Sequence, residues 1–247
     1  MDAPLAIVLA AGKGTRMKSD LPKVLCEAAG RPLVEYVFDS LRAAGVERLV
    51  AVVGYKADLV KDRLAKNYDN IQFALQEEQL GTGHAVMMCR DVIADHNGPV
   101  IVVAGDSPML QSSSIRALLD DFQSTNPACI LGSLIHPDPT GLGRIVRDSD
   151  GAFTGIVEEK DATDEQRKID EVNMSTYVFD CQKMLGSLDK LTADNRQKEY
   201  YITDIPGILL SEKEDVRALP VLKPIEALSV NTVEHLANVE AALEEQQ

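Results

Sequence analysis

Positive charge is scarce in this chain. Lysine and arginine number 25 against 39 aspartates and glutamates, which leaves a net charge of -14. That balance offers no broad basic face to track a phosphate backbone, so nucleic acid is excluded as a partner, and an anionic membrane surface with it. A small anionic ligand stays possible, because a local cationic pocket can sit inside an acidic protein. Long apolar runs are missing too. None approaches the ~20 residues that a membrane helix needs. The first apolar stretch, Leu5 to Ala11, is short, stops at Gly12 and follows Asp2 where an export signal would carry a cation. It reads as a buried strand. The four cysteines, Cys26, Cys89, Cys129 and Cys181, are far apart, so no CxxC-type zinc or redox pair exists. They are expected to be buried thiols of a reducing cytoplasm. The histidines, His84, His96, His136 and His235, are scattered and read as structural. The chain contains no internal repeat, low-complexity linker or Pro/Gly-rich hinge.

What is present is a 247-residue chain, long enough to bury a sizeable core. "LAIVLA" (Leu5 to Ala10) is a continuous apolar strand pattern. A helix follows over Pro32 to Gly45, with proline at its start, glycine at its stop and Leu33, Val37 and Leu41 on one face. Strands are expected at Arg48–Gly54, Ile71–Gln76 and Pro99–Asp106, with helices at Ala57–Ala65, from about Gly83, and at Ser112–Ser124 under a serine cap. Alternation of apolar strands and helices predicts an α/β fold, a Rossmann-like three-layer α/β/α arrangement with a mixed, mainly parallel central sheet. The second half reads as strands at Ala128–Ile135, Gly143–Asp148, Gly151–Glu159 and Glu171–Asp180. Helices resume at Cys181–Leu188 and Ile202–Leu210, and Asn231 is the expected cap of a last helix. The charged stretch Lys160 to Asp170 reads as a solvated loop. One domain over 1–247 is expected, with a nucleotide-binding half to about residue 125 and a second, substrate half from 126.

Ligands of such sheets bind at the carboxyl ends of the strands. Three glycine-containing segments fall there: "LAAGKGTRM" after the first strand, "QEEQLGTGHA" after the third and Gly105-Asp106 at the end of the fourth. The first is a candidate phosphate loop. A dinucleotide fingerprint fits poorly, because Met17 stands where its third glycine belongs. A Walker A loop lacks its leading glycine and its Lys-Thr pair. A purely structural turn stays open. The segment resembles the sugar-nucleotidyltransferase signature, LAxGxGTR followed by PK, here Leu9 to Arg16 and Pro22-Lys23. "QEEQLGTGHA", "DPTGLGRI", "GIVEEKDATDEQR", "EVN" and "EYYITDI" extend the likeness in order over nearly the whole chain. Together they resemble the N-terminal uridylyltransferase domain of bacterial bifunctional UDP-N-acetylglucosamine pyrophosphorylases, a nucleotide-diphospho-sugar transferase fold.

That resemblance implies roles by position. Leu9, Ala10, Ala11, Gly12, Gly14, Thr15, Gln76, Gly81 and Thr82 match the nucleotide site, and Gly105, Gly143, Glu158 and Asn173 match the sugar site. Asp106 and Asn231 match the ligands of a Mg²⁺ ion, a hard cation that suits carboxylate and amide oxygens. Arg16 and Lys23 would carry catalysis by neutralising the leaving pyrophosphate. Lys160 is a weaker phosphate candidate, and Glu199, Tyr200 and Thr203 would wall the sugar pocket. The implied reaction joins UTP and N-acetylglucosamine 1-phosphate in the cytoplasm, with no nucleic-acid or membrane partner. Met174-Ser175 after Asn173 departs from the family's small-residue–glycine pattern, which leaves glucose 1-phosphate or another hexose phosphate as an alternative acceptor. A nucleotide-sugar-binding regulator without turnover is the alternative of another class. The likeness does not reach a hexapeptide-repeat β-helix, so a chain ending at Gln247 is expected to lack acetyltransferase activity.

Overall fold

The computed structural model describes residues 2–17 and 19–245. Its strands, in chain order, are β1 (Leu5–Ala10), β2 (Glu27–Ala28), β3 (Arg31–Pro32), β4 (Arg48–Val53), β5 (Ile71–Leu75), β6 (Pro99–Ala104), β7 (Cys129–Ile135), β8 (Gly143–Arg147), β9 (Phe153–Val157), β10 (Glu171–Asp180) and β11 (Val216–Leu219). The helices are α1 (Leu33–Ala43), α2 (Ala57–Asn67), α3 (Thr82–Met87), α4 (Arg90–Ile93), α5 (Ser112–Thr125), α6 (Cys181–Leu188), α7 (Ile205–Ser211) and α8 (Val233–Glu244). Nine strands form one sheet in the order β11-β7-β10-β6-β1-β4-β5, with β8 beside β10 and β9 beside β8. β5, β4, β1 and β6 run parallel, and β10 turns the sheet antiparallel at β6.

Strand alternation divides the core between two faces. Leu5 and Ile7 of β1 point into one cluster, Ala6, Val8 and Ala10 into the other. The first face is covered by α3, α4, α6 and α7, through Val86, Ile93, Met184, Leu188, Ile205 and Leu209. The second is covered by α1, α2 and α5, through Val37, Phe38, Leu41, Val60, Leu64, Leu118 and Phe122. Burial on both faces explains why the inner strands lack polar alternation. The three-layer reading of the sequence is the architecture observed.

The sheet order also places the site. From β1 the chain crosses to β4 on one side, while β6 pairs with β1 on the other. The carboxyl ends of β1 and β6 therefore flank the point where strand order reverses, the crevice in which such sheets take ligands.

Two expectations are corrected here. The last helix is capped by Thr232, whose hydroxyl accepts from His235 N (3.3 Å), and not by Asn231. Nor does Ser112 cap α5. Its cap residue is Gln111, and the side chain that serves the helix start is Glu226, which accepts from Gln111 N (2.9 Å) and Ser114 Oγ (2.7 Å). The stretch Lys160 to Asp170 is exposed in part, but Arg144 anchors it by donating to Arg167 O (3.3 Å) and to Glu159 just before it (2.7 Å).

Candidate active site

An open cleft of about 840 Å³ lies at that crevice. Leu9, Ala11, Gly12, Gly14, Thr15 and Arg16 form one wall, as the loop leaving β1. Gly105 N donates to Leu9 O (2.9 Å) and Tyr55 N to Ala11 O (3.1 Å), so the loop's root is tied to both neighbouring strand ends. Gly14 takes φ +67, and a Cβ there would stand 2.5 Å from Lys23 Cβ. Glycine is required on both counts, because the left-handed backbone and the passing lysine stem leave no room for a side chain. Pro22 precedes a short 3₁₀ turn, Lys23–Leu25, that aims Lys23 at the cleft.

Lys23 Nζ is the centre of the charged end. It pairs with Asp106 Oδ2 and donates to Asn231 Oδ1 (2.6 Å), which also accepts from Arg16 Nη2 (3.3 Å). Asp106 follows β6, and Asn231 returns from near the end of the chain. Val230 N donates to Asp106 O (3.2 Å) and fixes the two side by side. Two hard oxygens therefore converge on one cation-sized point. The described residues contain no group of three or more His, Cys, Asp or Glu side chains that could hold a metal. A cation here would draw its other ligands from phosphate and water, which suits Mg²⁺.

Gln76 stands at the other end, just past β5, and is 3% exposed. Its Nε2 donates to Gly81 O (3.0 Å) and lies 3.1 Å from His84 Nδ1. Gly81 (φ +107) is pressed against the Tyr200 backbone, where a Cβ would lie 2.5 Å from Tyr200 O, so only glycine fits.

The opposite wall is built by the second half of the chain: Glu158, Ser175, Tyr177, Gln197, Glu199, Tyr201 and Thr203. Burial pushes the Glu158 carboxyl up, the nearby Asp204 and Asp161 add to the rise, and the Thr203 hydroxyl opposes it. Ser175 sits at a bulge in β10, between Asn173 and Thr176, with φ +52. A non-glycine residue in that conformation is uncommon and costs strain.

Most residues singled out in the sequence reach this cleft. Four do not line it. Ala10 is buried on the opposite face of β1. Gly105 lies beneath the first loop. Gly143 is packed behind Glu158 and Ile156. The amide of Asn173 is engaged within the protein, its Nδ2 donating to Tyr177 OH (2.7 Å) and its Oδ1 accepting from Ser175 N (3.2 Å). Lys160 and Tyr200 also stand outside the lining, whereas Glu199 and Thr203 belong to it. Ser175, expected beside the acceptor, does line the wall, while sequence reasoning passed over Lys13, Gln79, Tyr177, Gln197 and Tyr201. Lys13 was visible inside the glycine loop, and its Nζ lies 5.2 Å from the Tyr55 ring centroid. Gln79 and Tyr201 stand inside motifs already singled out, whereas Tyr177 and Gln197 are brought to the wall by β10 and by a loop.

Open glycine backbone and converging cations at a switch-point crevice suit phosphate groups. The chain belongs to the MobA-like NTP transferase domain family, whose model matches residues 6–198. It is a nucleotidyltransferase. Within that class it is 46% identical over 232 residues to the "Bifunctional protein GlmU" of Limosilactobacillus fermentum, covering 94% of this chain and 50% of that protein. The protein of the same description from Streptococcus agalactiae is 42% identical over 238 residues, 96% of this chain and 51% of its own length. The chain thus spans about half the length of the curated relatives it matches. A solved UDP-glucose pyrophosphorylase complexed with UDP-glucose superposes with a TM-score of 0.80 at 17% identity over 100% of both chains, a likeness of fold.

Proposed function

We propose that this nucleotidyltransferase domain is a Mg²⁺-dependent uridylyltransferase that joins UTP and N-acetylglucosamine 1-phosphate to UDP-N-acetylglucosamine and pyrophosphate, in the cytoplasm. The observation that carries the reading is the convergence of Lys23, Asp106, Asn231 and Arg16 between a base-side wall bearing Gln76 and a second wall bearing Glu158 and Tyr177. Asp106 and Asn231 would hold the ion. When bound, Mg²⁺ supplies charge neutralisation to the phosphates.

The attacking group is a phosphate oxygen of the sugar phosphate. It is already an anion, so no general base is required. The new bond forms between that oxygen and the α-phosphorus of UTP. The bond from the α-phosphorus to the bridging oxygen breaks, and pyrophosphate leaves with the electron pair. The chain's own contribution is positioning and charge. An ammonium has three N–H donors; Lys23 turns two of them to Asp106 and Asn231, and an ion held by those oxygens would release them toward phosphate. Arg16 reaches the same point from the first loop. Gln76 meets the base, and the partly desolvated Glu158 accepts from sugar hydroxyls.

The test is pyrophosphate release from UTP and Mg²⁺ with N-acetylglucosamine 1-phosphate or glucose 1-phosphate. The acetylated sugar is expected to be preferred. A preference for glucose 1-phosphate would mean that the strained Ser175 has narrowed the sugar wall, and it would replace the named acceptor. Lys23→Ala is expected to lower kcat on the order of 10²–10³-fold, the usual effect of removing one charge-stabilising donor. Asp106→Ala is expected to raise the Mg²⁺ concentration required. Full activity of the first variant, or an unchanged Mg²⁺ titration in the second, removes that residue from its role.

A further inference from the structure

The hydrogen bonds around Gln76 dictate which way its amide faces. A backbone carbonyl only accepts, so the amide atom 3.0 Å from Gly81 O is the nitrogen. That carbonyl also accepts from Ala85 N (3.1 Å), which leaves it no alternative role. The second hydrogen of the same nitrogen is then available to His84 Nδ1, 3.1 Å away. A nitrogen that receives a hydrogen bond carries no proton itself, so Nδ1 takes the acceptor role in this contact. Both donors of Gln76 are thereby engaged. Its Oε1 has no partner among the described residues, and the side chain lines the cleft.

His84 is itself held. It lies on α3, whose preceding turn is tied to a neighbouring loop by Tyr200 N donating to Leu80 O (2.8 Å) and Gly83 N donating to Tyr200 O (2.8 Å). Its ring lies 6.4 Å from that of Tyr200. One anchor would leave the amide free to pivot about the Nε2–Gly81 contact, whereas two define its plane.

We infer that His84 is a positioning residue for base selection, locking Gln76 so that the cleft presents a single fixed acceptor to the base. The inference rests on the reading of Gln76 as the base contact. A fixed acceptor suits a ring N–H flanked by carbonyls, the edge of uracil or thymine. Cytosine places a lone pair at that position and meets Oε1 with repulsion. A site built around one hydrogen bond of this kind rejects the wrong partner strongly.

The test measures dissociation constants for UTP and CTP, with Mg²⁺, in the wild type, His84→Ala, His84→Asn and Gln76→Ala. In His84→Ala the CTP-to-UTP ratio of constants is expected to fall roughly five- to tenfold, the scale of one neutral hydrogen bond. His84→Asn, whose side-chain oxygen can accept in place of Nδ1, is expected to retain most of the ratio. A purely structural role would weaken both nucleotides alike and leave the ratio unmoved. If Gln76→Ala abolishes discrimination while His84→Ala preserves it, the inference fails and the base-contact reading stands. If Gln76→Ala preserves discrimination, or the wild type does not discriminate, both fail. Nitrogen-15 NMR of the wild-type protein gives an answer independent of variant folding: Nδ1 of His84 is expected to be unprotonated, and a proton on it would overturn the inference.

Discussion

Glu158 brings a carboxyl to a wall that solvates it poorly. Burial raises its pKa above the usual glutamate value of about 4.3, Asp204 and Asp161 add to the rise, and the Thr203 hydroxyl opposes it. The sign of the linkage follows. A carboxyl whose folded pKa exceeds its unfolded one contributes stability that is fully present below the unfolded pKa and is lost as pH rises through the folded value. Glu158→Gln removes that loss. The variant is expected to melt higher than the wild type at pH 7, with the gap closing toward about pH 4, while binding sugar phosphate more weakly. An equal melting difference at both pH values would contradict the argument. At this scale Asp106 and Gln76 were legible because they stand at strand ends beside glycine segments, and Lys23 because it follows Pro22 in the signature. Asn231 was legible in two ways, as a ligand beside Asp106 through the resemblance and as a helix cap. Thr232 took the cap, and what Asn231 faces depends on a contact with Lys23, 208 positions away in the chain.

At the scale of elements, the segment after β11 organises α5 and the Asp106–Asn231 pair together. Glu226 is 4% exposed, accepts from the start of α5 and from Lys223 N (2.7 Å), and lies five residues before Asn231. Glu226→Ala leaves Gln111 N and Ser114 Oγ without their acceptor. It is expected to cost about 2 kcal/mol in urea unfolding and to raise the Mg²⁺ requirement by loosening Asn231. Lost stability with an unchanged Mg²⁺ titration would separate the two functions of the segment. Helices and inner strands were legible because their apolar periods are local. The four-residue β11 was passed over, since Val216–Leu219 is too short to stand out and pairs with β7 across a long separation in sequence. The bulge in β10 was also hidden, because its strand pattern is continuous while the register breaks between Asn173 and Thr176.

At the scale of the whole molecule, one sheet carries both walls of the cleft, and β10 joins them by pairing with β6, β7 and β8. We propose that both halves unfold as one unit. A single calorimetric transition is expected, and two separable transitions would refute it. If UTP is the substrate, UTP with Mg²⁺ at about a hundred times Kd is expected to stabilise by about 2.7 kcal/mol, a rise of roughly 5–10 °C in Tm in a thermal melt of a domain of this size. Residue order along the chain carried the α/β class, the family and most of the residues that line the cleft, because strand periods, glycine turns and motif order are written locally. Only folding settled that the Lys23 ammonium meets both Asp106 and Asn231, that Tyr177 faces the cleft, and that His84 holds Gln76. Each of these is a contact between groups whose meeting depends on strand order, a bulge or a returning segment, and no local pattern of residues encodes such a meeting.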